Sequence, residues 1–112
     1  MKPRSWESIE EFYTELFEGR FLDNMVILVK HIRASDLSRR LFATTSLDKL
    51  IISIYDPIEK FTEALHIDYD YNSQKFIFEY YAKPFKDAEF IRKYPVNVGV
   101  EKFDKFIGMI KW

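Results

Sequence analysis

The stretch HIDYDYNSQKFIFEYY, residues 66–81, decides how the rest of the chain is read. Two runs that alternate polar and apolar side chains flank Asn72-Ser73, residue types that suit a tight turn. With Tyr71 facing Gln74, the pairs become Asp70–Lys75, Tyr69–Phe76, Asp68–Ile77, Ile67–Phe78, His66–Glu79 and Leu65–Tyr80. One face is then wholly apolar, made of Leu65, Ile67, Tyr69, Phe76, Phe78 and Tyr80. His66, Asp68, Asp70, Lys75, Ile77, Glu79 and Tyr81 share the other. A slip of one residue would oppose Asp70 to Phe76 and mix the faces, so the segregated register is expected.

Working outward, LFATT at 41–45 and KLIISIY at 49–55 read as two more strands around a Ser-Leu-Asp turn. Asp56-Pro57 closes the second, because proline lacks a ladder donor and restricts the residue before it. Toward the amino end, Trp6, Ile9, Phe12, Tyr13, Leu16 and Phe17 form a stripe at helical spacing, with glutamates on the opposite side. Ser5 suits the N-cap of that helix and Gly19 its stop. Residues 24–40 satisfy helix and strand patterns alike. Met25, Leu28 and Ile32 favour a helix opening near Asp23, while the run Val26-Ile27-Leu28-Val29 would also suit a buried strand. Toward the carboxy end, Val100, Phe103, Phe106, Ile107 and Ile110 predict a helix entered through an extended piece bracketed by Pro95 and Gly99. The link from Lys83 to Lys93 is expected to hold at most a helical turn. The fold class that follows is α+β in a single globular domain over 1–112. Its antiparallel meander of three or four strands is packed on one face by the N- and C-terminal amphipathic helices.

Composition bounds the function. The chain has 112 residues, 47% hydrophobic and 31% charged, as ordinary folded domains do. Its aromatic content is 18%, yet eleven Phe, seven Tyr and two Trp do not require a partner to cover them. Folding a chain of this mass removes more than about 13,000 Å² from water, and the aromatics need only about 3,000–5,000 Å² of it. Net charge is −1, so no global field draws in nucleic acid or an anionic membrane. The longest aliphatic run, MVILV at 25–29, is far too short for a membrane span. Absent cysteine and a start, MKPRSWESIEEF, without an apolar core agree with a cytoplasmic location.

Motifs exclude further classes. Glycine stands only at 19, 99 and 108, so neither a Walker loop nor a dinucleotide fingerprint is present. With two histidines and no cysteine, the standard zinc patterns are missing, and Gly-x-Ser-x-Gly is missing too. No cofactor or metal is expected. Lys30, Arg33, Arg39 and Arg40 form the most basic segment, which reads as a solvated helix end rather than a nucleic-acid reader. His31 reads as a partly buried or capping side chain.

The polar hairpin face carries the remaining candidates, His66, Asp68, Asp70, Glu79 and Tyr81. Ile77 and Tyr81 make that face amphipathic, which suits protein recognition, since tyrosine supplies contact area at small entropic cost. The leading expectation is a small non-catalytic domain of inhibitor, immunity or regulatory type that binds a protein partner there. This comparison rests on size and surface character alone. The alternatives are a small metal-binding or hydrolytic enzyme using His66, Asp68 and Glu79, and a domain whose aromatics line a small-ligand pocket. One electrostatic corollary is that Glu79, facing His66, should raise its pKa.

Overall fold

The computed structural model describes residues 1–16, 23–58, 63–83 and 86–112. Three α-helices and a five-stranded sheet follow one another as α1 (Trp6–Leu16), α2 (Asp23–Ala34), β1 (Phe42–Ser46), β2 (Lys49–Ser53), β3 (Ala64–Asp70), β4 (Lys75–Tyr81), β5 (Phe90–Pro95) and α3 (Val96–Met109). A short 3₁₀ turn, Asp36–Arg39, joins α2 to the sheet. The strands lie in chain order and every neighbouring pair is antiparallel, so the sheet is a simple meander.

The central hairpin adopts the segregated register: Asp70 pairs with Lys75, His66 with Glu79 and Leu65 with Tyr80. Asp70 itself shapes the turn, accepting from the Asn72 amide at 3.0 Å and the Ser73 hydroxyl at 2.9 Å, while Gln74 takes a left-handed φ of 54°. The β1–β2 hairpin closes through Leu47-Asp48, and Leu47 sits at φ 56°, a conformation that two-residue loops require and leucine resists. Ser5 caps α1 by accepting from the Ser8 amide at 3.1 Å. The ambiguous segment is helical. Its buried residues Met25, Leu28, Val29 and Ile32 recur at helical spacing, which the β-branched run conceals. The expected stop at Gly19, and Phe17 and Phe21, lie outside the described residues.

Two expectations need correction. The sheet has five strands rather than three or four, because Phe90–Pro95, which overlaps the end of the segment expected to be a link with a helical turn, pairs with β4 along its whole length. Its burial is half-hearted on both faces, as befits an edge strand, so no alternation announces it. Pro95 and Gly99 do not bracket an extended entry either. Pro95 occupies the N-cap position of α3 without a side-chain capping bond, the helix starts at Val96, and Gly99 lies buried inside it. A Cβ at Gly99 would stand 2.3 Å from two carbons of the Phe76 ring, so the bare backbone is what lets α3 settle there.

One buried cluster joins Trp6, Ile9 and Tyr13 of α1 and the buried residues of α2 with Phe103, Phe106 and Ile107 of α3. The same cluster contains Leu50, Ile52, Leu65, Ile67, Tyr69, Phe76 and Phe78 from alternate positions of the central strands. Aromatic rings run through it edge to face, Tyr69 to Phe76 at 5.6 Å and Phe78 to Tyr94 at 5.2 Å among them. Trp112 is buried against Tyr80, and its carbonyl accepts from Arg40. A second, smaller cluster of Ile51, Ile58 and Ala64, flanked by Phe42, lies on the other sheet face, where Ile58 folds back over one end. Ile58 is held there by paired bonds with Met1. Among the described residues no helix is long and apolar enough to cross a membrane.

Candidate functional site

Beyond the Ile58 cover, the outer sheet face is partly exposed among the described residues, and its geometry follows from the register. One rung crosses all five strands: Thr44, Ile51, His66, Glu79 and Ile91. The next rung toward the hairpin tip brings Asp68, Ile77 and Lys93 side by side, and the one after it Asp70, Lys75 and Pro95. On the opposite side of His66, Ala64 pairs with Tyr81. All five candidate residues therefore belong to one face, with His66, Glu79 and Tyr81 forming its connected centre.

At that centre Glu79 has two partners. Tyr81 Oη donates to Glu79 Oε2 at 2.8 Å, and Lys49 Nζ stands 3.7 Å from Glu79 Oε1. The Tyr81 ring also packs on the His66 imidazole, centroids 4.7 Å apart. Partial burial, then the hydrogen bond to Glu79 and its charge, push the Tyr81 hydroxyl up to about 12. Asp68 bonds the amide of the following residue, Tyr69, at 2.8 Å. Asp70 is turned into the hairpin loop, where the Ser73 hydroxyl and the Asn72 amide hold its carboxyl below the usual range.

The expected upward pull of Glu79 on His66 is present but does not set the net direction. Glu79 does pull upward, but burial and the neighbouring Lys49 ammonium outweigh it, so the His66 pKa falls below its ordinary value. The sequence offered no way to see this, because Lys49 comes beside His66 only through pairing across the long β2–β3 connection.

These contacts bear on chemistry. Among the described residues no group of three or more His, Asp or Glu side chains is placed to hold a metal ion. The three carboxylates of the face point to different partners: Asp68 to its own strand, Asp70 to the turn, Glu79 to Lys49 and Tyr81. His31 lies elsewhere. Its Nε2 meets both carboxylate oxygens of Asp104 at 2.9 Å, tying α2 to α3 above an open cleft of about 390 Å³. Arg33, from the basic segment, crosses to Glu7 and Glu10 of α1 at 2.7 and 3.3 Å.

Sequence reasoning missed Ile91, Lys93 and Lys49 as members of the open face. The first two lie on the unrecognised β5, and Ile91 is 52% exposed beside Glu79. The alternation in KLIIS did place Lys49 and Ile51 on one face, but which face could not be told without the β2–β3 register. No protein-family model matches the chain, and no curated protein or solved structure matches it either.

Proposed function

We propose that this protein is a small non-catalytic interaction domain that binds a protein partner through the open sheet face around His66, Asp68, Glu79 and Tyr81. The observation that supports the reading is the retention of half-buried Ile77 and Tyr81 and exposed Ile91 on one sheet face beside polar groups held by fixed partners. A face that needed only to be wet would be better served by charged residues at these positions. Here, partly exposed apolar groups surround a pre-ordered Lys49–Glu79–Tyr81–His66 chain, which a partner can meet without ordering it first. Inhibitor, immunity or regulatory action fits such a surface, in which binding is the function. Asp70 shapes the hairpin and takes a supporting part.

The test is affinity capture from the native cells with the wild type and an Asp68→Ala/Glu79→Ala/Tyr81→Ala variant whose folding is checked by circular dichroism. A stoichiometric protein held by the wild type and released by the folded variant is the expected result. A partner kept by both would refute this surface, and capture of none would refute the reading.

A further inference from the structure

The sheet edge at β5, which shares Lys93 with the open face, carries a separate inference. The two edges of the sheet are unlike each other. Along β1, Arg4 forms an isolated bridge to Ala43, its amide donating at 2.8 Å, and its guanidinium reaches Thr45. Along β5 no such cover exists among the described residues: the strand ends the sheet order, and a side chain of its own, Arg92, donates to the Ile91 carbonyl. An uncovered edge is a template for another strand.

Beside this edge runs a groove of about 170 Å³ between β5 and α3, lined by Phe90, Tyr94, Lys102, Lys105, Phe106 and Met109. Its floor is aromatic, with the Phe90 and Phe106 rings 5.0 Å apart, and Met109 is 63% exposed at its rim. Its margins are basic. Arg92 lies over the Phe90 ring, Lys102 over the Tyr94 ring, and Lys93 stands on the far side of the strand. Glu101 answers Lys105 at 3.0 Å. Among the described residues Arg92, Lys93 and Lys102 form no ion pair within 4 Å, although the charges of Asp70 and Glu101 act on Lys93 and Lys102.

We infer that the β5 edge and the β5–α3 groove together bind an extended acidic peptide segment of another protein, added as a sixth strand. Strand addition supplies main-chain hydrogen bonds, while alternate side chains enter the neighbouring groove. The six residues of β5 span about 20 Å, the length of an equally short peptide strand. Apolar side chains of the peptide fill the Phe90–Phe106 floor, and its carboxylates meet Arg92, Lys93 and Lys102. Charge argues against a second copy of this chain as the occupant. Antiparallel pairing of β5 with itself would set Arg92 and Lys93 against the same two residues of the other copy, and like charges facing across a ladder repel.

The test pans a phage-displayed library of random dodecapeptides on the immobilised full chain. Enriched peptides are then synthesised and titrated into labelled protein while amide shifts are followed. The expected peptides are net acidic, with an apolar residue on the groove side and acidic residues at neighbouring positions of both faces. They shift amides of 90–94 and 102–109, and their affinity falls roughly tenfold or more in Lys93→Glu/Lys102→Glu. A second variant confined to α3, Lys102→Glu/Lys105→Glu, guards against a local change in β5, and both are checked by thermal melting. Asp68→Ala/Glu79→Ala/Tyr81→Ala keeps full peptide affinity, which separates this surface from the open sheet face. The inference is overturned by no enrichment, by peptides without acidic bias, by shifts confined to the outer face, or by unchanged affinity in both charge-reversed variants. A mixed single-stranded oligonucleotide that binds the same amides more tightly than any peptide would also overturn it, as would a dimer formed through β5 in sedimentation.

Discussion

Gly99 and Gly108 lie on the same helix, yet replacing each by alanine should move stability in opposite directions. At Gly108 an added Cβ meets nothing within 4 Å, so alanine gains its helix propensity and restricts the unfolded chain. Near a helix end that is worth roughly 0.5 kcal/mol. At Gly99 the same methyl would lie 2.3 Å from Cδ2 and Cε2 of Phe76, where carbon atoms prefer about 3.5–4.0 Å. Either the ring or the helix must then move by more than about 1 Å. Phe76 has little freedom to yield, being buried and edged by Tyr69 and Phe78. Overpacking of this kind costs about 1–3 kcal/mol, and a double contact with a buried ring belongs at the upper end. After the propensity gain of about 1 kcal/mol, Gly99→Ala should destabilise by roughly 2 kcal/mol. In urea, with a slope of about 1–1.5 kcal/mol/M for a chain of this size, the midpoint should fall by about 1.5 M. Gly108→Ala should raise it by a few tenths of a molar. In a Phe76→Leu background the Gly99→Ala penalty should shrink, because the two sites share the clash. A Gly99→Ala protein as stable as the wild type would refute the close approach of α3 to Phe76.

Other consequences are more local. An NMR titration should place His66 below the ordinary histidine value, and Lys49→Met should raise it while Glu79→Gln lowers it further. Because the folded state resists this proton, the His66 contribution to stability is complete above the unfolded pKa of 6.5 and is lost as pH falls through the lower folded value. A wild-type value at or above 6.5 would sink this account of the open face. Leu47→Asn should stabilise by roughly 0.5–1 kcal/mol, since Leu47 holds a left-handed φ of 56° while 92% exposed, and asparagine accepts that conformation. A lower urea midpoint would contradict it. Trp112→Phe should melt close to the wild type, because among the described residues the buried indole nitrogen has no hydrogen-bond partner to lose. Trp112→Ala should cost about 3 kcal/mol through the lost packing on Tyr80, so equal melting of the two variants would show that the ring contributes little.

What the sequence determined by itself was local or nearly so. The β3–β4 register was legible down to the residue pair, because a short turn leaves few alignments and only one separates apolar from polar faces. The α1 stripe and its Ser5 cap, and the helical period of the carboxy-terminal segment, were legible for the same reason. The sharing of one face by His66, Asp68, Asp70, Glu79 and Tyr81 followed directly from that hairpin. The tertiary structure decided whatever depends on partners distant in sequence. β5 carries no alternation because an edge strand is half exposed on both sides, so only its pairing with β4 reveals it, and with it Ile91 and the basic edge. Gly99 reads as punctuation in one dimension and as a contact surface for Phe76 in three. The sign of the His66 shift belongs to the same class, since burial and Lys49 come to it from across the sheet while the hairpin supplies only Glu79. Periodicity reports which side of an element is wet, but the charges that gather on that side depend on the folded chain.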